Sequence, residues 1–126
     1  MKFTTLFLVA SLFCTFSCQK HATDAPTLSV AAPLGEAQFT DGQPITIKGE
    51  TGDADGLHSL KITITDDKTK AVLYAQSPPV LNLKTYAFNA IWTAKVSDWT
   101  DATVTITAAN HANIEVVKTI KIKIWL

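Results

Sequence analysis

From Thr27 onward, apolar and polar residues alternate with a period of two, and the alternation recurs seven times. Leu28 and Val30 alternate with Thr27 and Ser29, and Ile45 and Ile47 with Thr46 and Lys48. Leu60, Ile62 and Ile64 share one parity, Lys61, Thr63 and Thr65 the other. Ala71 to Ala75 is a short apolar run ended by Pro78-Pro79. Tyr86, Phe88, Ala90 and Trp92 form one face against Asn89 and Thr93. Val104, Ile106 and Ala108 alternate with Thr103, Thr105 and Thr107, and Ile120, Ile122 and Ile124 with Lys121, Lys123 and Trp125. Successive side chains of a strand point to opposite faces, so this rhythm puts one face in a core and one in water. No window shows a 3.6-residue apolar period. The pattern predicts an all-β chain.

Seven antiparallel strands in about 100 residues is the strand count of an immunoglobulin-like β-sandwich. Its core should hold Ile47, Ile62, Ile64, Phe88, Val104, Ile106 and Ile122, with Thr63, Thr105 and Lys121 exposed. Val116-Val117-Lys118 breaks phase with Ile120, which predicts a bulge or a strand that changes pairing there. Lys118, Lys121 and Lys123 then line the outer face of a last strand lying at a sheet edge.

Before Thr27 the chain reads differently. Lys2 is followed by an apolar stretch, Leu6 to Phe16, too short for the roughly 20 residues of a membrane span. A basic start and a short apolar run have the form of a secretory signal, with residues 1–17 removed. The polar residues Gln19 to Pro26 would join Cys18 to a domain at 27–126.

Composition narrows the function. The 126 residues carry eleven basic and eleven acidic side chains, and every basic one is Lys. A chain without Arg lacks the guanidinium forks of nucleic-acid readers, and no nucleic-acid partner is expected. Cleavage before Cys18 would leave ten Lys against eleven acids. It would also remove Cys14, so a disulfide framework is excluded.

Candidate chemistry is sparse. His21 falls in the tether, and His58 and His111 fall in or beside loops with no nucleophile motif near them. No catalytic residue is expected and the domain reads as a non-enzyme. Asp53 and Asp55 sit two apart in a Gly-flanked turn and could give Ca2+ hard oxygen ligands, with Asp66-Asp67, Asp98 and Asp101 as further loop carboxylates. The competing reading is plain turn chemistry, for which Asp and Gly suffice. No other cofactor is implied. Trp99 lies in Ser97-Asp98-Trp99-Thr100-Asp101, and an exposed indole between carboxylates can stack on a sugar. Trp99, Asp98 and Asp101 are therefore the candidate ligand-binding residues. The alternative has Trp99 capping the open end of the sandwich and Trp125 packing on a neighbouring strand.

Two resemblances add to this. Thr15-Phe16-Ser17-Cys18 resembles the lipobox of Bacteroidetes-type bacterial lipoproteins, an apolar run ending in Ser-Cys. It implies acylation of Cys18 by diacylglycerol after cleavage, and so a membrane partner through the lipid anchor. The alternative is an ordinary secretory signal with Cys18 a bystander thiol. Phe39-Thr40-Asp41-Gly42-Gln43-Pro44-Ile45, Gly52-Asp53-Ala54-Asp55-Gly56-Leu57 and Val104 to Asn110 resemble the turns of bacterial immunoglobulin-like domains. Asn110 stands where many such domains have Asp, and Asn113 near their Gly. The resemblances imply an envelope protein of the outer membrane, periplasmic or surface-facing, that binds a protein or glycan or acts as a spacer. A second reading is a structural accessory subunit of an envelope complex, with calcium as a stabilising ion.

Overall fold

The computed structural model describes residues 24–126, so Cys18, His21 and the expected signal at 1–17 lie outside the described residues. Eight strands follow in order: β1 (Thr27–Ala32), β2 (Ala37–Thr40), β3 (Pro44–Gly52), β4 (Leu57–Asp66), β5 (Val72–Gln76), β6 (Thr85–Thr93), β7 (Thr100–Asn110) and β8 (Glu115–Trp125). One sheet has the order β1-β3-β6 and the other β2-β8-β7-β4-β5. The strands thus divide between two sheets, antiparallel throughout except where β2 joins β8, which is the immunoglobulin-like sandwich. The strand beyond the expected seven is β2. It is four residues long and pairs parallel with β8, Phe39 opposite Ile124.

Alternation explains the core. Ile45 and Ile47 of β3, Leu60, Ile62 and Ile64 of β4, Phe88 and Ala90 of β6, Val104 and Ile106 of β7, and Ile122 and Ile124 of β8 are all buried. Each buried isoleucine contributes about 1.5–3 kcal/mol by leaving water. All seven expected core residues are among the buried ones.

The opposite parity departs from expectation in part. Lys121 is exposed, but Thr63 and Thr105 are half-buried. They sit on neighbouring inner strands of the larger sheet, where Ala75, Thr63, Thr105 and Thr119 stand side by side. Cross-strand neighbours lie about 5 Å apart and shield one another from solvent. Neither a bulge nor a change of pairing occurs at Val116–Lys118: β7 and β8 pair in one unbroken register from Thr100↔Ile124 to Ala109↔Glu115. Lys118 keeps the parity of Ile120 and Ile122, at a gap between β1 and β8 that it lines together with Leu28 and Pro33. A lysine can take a core-side position there because its stem packs while its ammonium stays wet. Nor is β8 a free edge along its last turn of ladder, since β2 covers it.

Two poles result. The chain arrives at one, with the β3–β4, β6-preceding and β7–β8 loops. There the buried Asn110 donates from Nδ2 to the Asp24 carbonyl (2.8 Å) and accepts at Oδ1 from the N–H groups of Ala112 and Ile114. Asn113 takes the left-handed conformation at φ 59°, which an asparagine tolerates. The other pole holds the β4–β5 turn, the segment between β6 and β7, and the end of β8. With β7 eleven residues long, the poles are about 36 Å apart.

Candidate functional site

The register of β7 and β8 builds the far pole. Thr100 lies opposite Ile124, so the ladder continued by one step sets Trp99 opposite Trp125. Their rings stack, with centroids 5.5 Å apart and planes 19° from parallel. The same face continues with Asp101 opposite Lys123, joined at 3.2 Å, and with Thr103 opposite Lys121. Lys123 Nζ lies 5.8 Å from the centre of the Trp99 ring, within cation–π range. Trp99 remains 51% and Trp125 42% exposed, so the pair faces water and does not seal the core. Trp125 does pack on its neighbour, and that neighbour is Trp99.

Beside the stack lies a cavity of about 510 Å³. Asp66, Asp67, Lys68 and Thr69 from the β4–β5 turn form one wall, and Asp98, Trp99 and Asp101 the other. The walls are tied by the Asp67 N–H donating to the Asp101 carbonyl at 2.9 Å. Asp98 Oδ1 accepts the Trp99 N–H at 2.7 Å, and the Thr100 hydroxyl donates to the Asp98 carbonyl. These bonds fix the backbone on which the indole stands.

Two carboxylates of the β4–β5 turn, Asp66 and Asp67, are held below their ordinary value. The Thr69 backbone N–H, aided by that of Lys68, keeps the Asp66 carboxyl below its ordinary value despite some desolvation. For Asp67, burial works against the charge, but the Thr103 hydroxyl and the Lys121 ammonium at 2.9 Å outweigh it. Its carboxyl is held below 3.8. A lowered folded-state value means stability present above the unfolded value and lost as pH falls through the folded one. Asp67→Asn should therefore lower the melting temperature at neutral pH, by the equivalent of about 1 kcal/mol or less for so exposed a pair. The gap from wild type should close as pH drops below 3.8. A gap independent of pH in thermal melts would assign the loss to packing instead.

An acidic cavity flanked by an aromatic stack can accept hydrogen bonds from hydroxyl groups while an indole packs on an apolar C–H face. Sequence reading singled out Asp98, Trp99 and Asp101, and the structure brings all three to this cavity. It missed Trp125 as the stacking partner, whose signal lay in the β7–β8 register. It named Asp66 and Asp67 only as dispersed calcium candidates, without Lys68 and Thr69.

The other candidates lie at the opposite pole. Asp53 is buried, with Oδ1 accepting the Asp55 N–H at 3.0 Å and Oδ2 within 3.4 Å of Asn110 Nδ2. Its carboxylate thus serves the turn, while Asp55 is exposed. Among the described residues no group of three or more His, Cys, Asp or Glu is placed to hold a metal ion. His58 and His111 meet edge to face with ring centres 5.6 Å apart, a contact between β4 and the β7–β8 turn that spacing alone did not reveal.

No family model matches the chain, and no curated protein matches it. Among solved structures, it is similar to the fibronectin(III)-like modules of Clostridium thermocellum CbhA. The identity is 9%, the TM-score 0.49, and the match covers 79% of this chain and 96% of that one.

Proposed function

We propose that this protein is a non-enzymatic binding module of the bacterial cell envelope, anchored by acylated Cys18 and holding a glycan at the far pole. The observation that carries the reading is the solvent-facing Trp99–Trp125 stack beside the acidic cavity. A pyranose offers the two surfaces this arrangement complements, an apolar C–H face and a rim of hydroxyl donors. Asp98 and Asp101 take the hydroxyls and Trp99 the face. Loops at the end of a rigid sandwich are where such scaffolds place recognition. The tether Gln19 to Pro26 reaches at most about 28 Å, which keeps the domain near the membrane and its polymer coat.

Trp99→Ala tests the site. It should leave the far-UV spectrum and the melting temperature nearly unchanged while abolishing retention on envelope polysaccharide in affinity electrophoresis. If the substitution unfolds the domain, Trp99 is a structural cap; if retention survives, the ligand binds elsewhere. Binding of an envelope protein but no polysaccharide would replace the glycan with a protein partner.

Cys18→Ala tests the anchor. The variant should move from the detergent phase to the soluble fraction of cell extracts, and the wild-type mature chain should begin at a modified Cys18. A variant that stays in the membrane, or a mature chain starting elsewhere, removes the acyl anchor from the reading.

A further inference from the structure

The sheet β1-β3-β6 ends in β6, and among the described residues no backbone hydrogen bond reaches the outer edge of that strand. Edges are ordinarily guarded by charge, proline, bulges or shortness. The other edge strands carry such guards: β2 has four residues, β5 has five, and β1 shifts register between Val30 and Ala32. The β6 strand has none. Its nine residues, Thr85-Tyr86-Ala87-Phe88-Asn89-Ala90-Ile91-Trp92-Thr93, hold no charge and no proline and pair with β3 in unbroken register.

The sequence of β6 is also close to a palindrome about Asn89. Two copies laid antiparallel around that residue would set Thr85 against Thr93, Tyr86 against Trp92, Ala87 against Ile91, Phe88 against Ala90, and Asn89 against itself. Every pair is of a favourable kind: hydroxyl with hydroxyl, aromatic with aromatic, apolar with apolar, amide with amide. Parity agrees as well. Ile91, 58% exposed on the outer face, would be covered by Ala87, while the half-buried Tyr86 and Trp92 would extend the inner face.

We infer that β6 is a self-complementary edge through which two copies of this chain form a twofold dimer, joining their three-stranded sheets into one of six strands. A twofold contact uses the same patch on both copies, and a strand that matches its own reverse meets that demand. The axis stands perpendicular to the sheet, so the Asp24 ends lie at opposite poles in equivalent positions. Two acylated copies reach one bilayer when the strands lie parallel to it. The inference is independent of the glycan site, which lies at the pole and not on this edge.

The full-length protein, purified in density-matched detergent, should sediment as a dimer. Asn89→Lys sets two ammonium groups face to face across the axis and should raise the dissociation constant about tenfold or more, with the far-UV spectrum retained. Asn89→Cys should form a disulfide-linked dimer under mild oxidation, whereas Ser29→Cys on the exposed side of β1 should not. Trp99→Ala should remain dimeric, and Asn89→Lys should keep its retention on polysaccharide, so that the failure of either idea is seen apart from the other. A wild-type protein that is monomeric at the highest concentration reached overturns the inference. Equal cross-linking through Ser29→Cys and Asn89→Cys overturns it too.

Discussion

Gly49→Ala is expected to be among the most damaging single-methyl changes in this domain, costing about 3 kcal/mol or more. Gly49 lies on the inner face of β3, opposite Val30 of β1 and Phe88 of β6. A Cβ built there would come within 2.2 Å of the Ser29 carbonyl oxygen and 2.5 Å of Phe88 Cζ. The first obstacle is backbone of a paired strand and the second is a buried ring, so neither can swing aside. Relief requires β1 to separate from β3 or Phe88 to leave its rotamer, and both cost core packing. Guanidinium unfolding should show a lower midpoint with little change of slope. An alanine variant within about 1 kcal/mol of wild type would mean that β1 is held more loosely than its ladder implies.

Ile106→Ala and Ile62→Ala should each cost about 2–5 kcal/mol, the range for truncating a buried aliphatic side chain. The two residues are cross-strand partners in adjacent strands of the larger sheet, and both are fully buried. Strands on either side fix their backbones, so the cavity left by three lost carbons cannot collapse. Because they touch, the double variant should cost less than the sum of the singles. Thr105→Ala, one residue away and half-buried, should cost far less. Chemical denaturation of the four variants checks this ordering, and a Thr105 effect as large as that of Ile106 would contradict the assigned parity.

Much of the sandwich could be read before its structure, because β-branched residues alternating with Thr and Lys leave little choice of face. Ile62, Ile64, Val104 and Ile106 declare their side by parity alone. Features set by pairing between distant strands were not readable. Ala37–Thr40 is too short to show a period, and its parallel contact with β8 depends on where the chain returns. Val116-Val117-Lys118 looked like a slip because Lys118 occupies a core-side parity, yet the ladder runs on unbroken and the side chain reaches water through a gap. Thr63 and Thr105 show what a single-strand argument omits, namely the neighbours that shade an outward-facing residue.

The candidate site divides in the same way. Asp98, Trp99 and Asp101 are adjacent in sequence and could be named together. Trp125 joins them only through the register, and Asp66 and Asp67 only through the tie between the two loops. At the other pole, Asn110 was noticed as a substitution in a turn, whereas its side chain bonds Asp24 and two backbone N–H groups across that turn. Buried amides of this kind are invisible to hydropathy patterning because they are polar residues satisfied inside the protein.

The separation of the two poles has a mechanical consequence. Tension applied at Trp99 and Trp125 and resisted at Asp24 would run along the strands instead of across them. It enters through β8, bonded to β7 over ten residue pairs and to β2 over four, and leaves through β1, bonded to β3 over five. Ladders strained along their length share the stress among all their bonds at once, whereas a ladder peeled from one end surrenders them singly. The five-pair junction of β1 with β3 is half as long as that of β8 with β7, and Gly49, where an added Cβ would meet the Ser29 carbonyl oxygen, sits within it. A sandwich of this layout resists extension between its poles, with β1 as the strand that yields first.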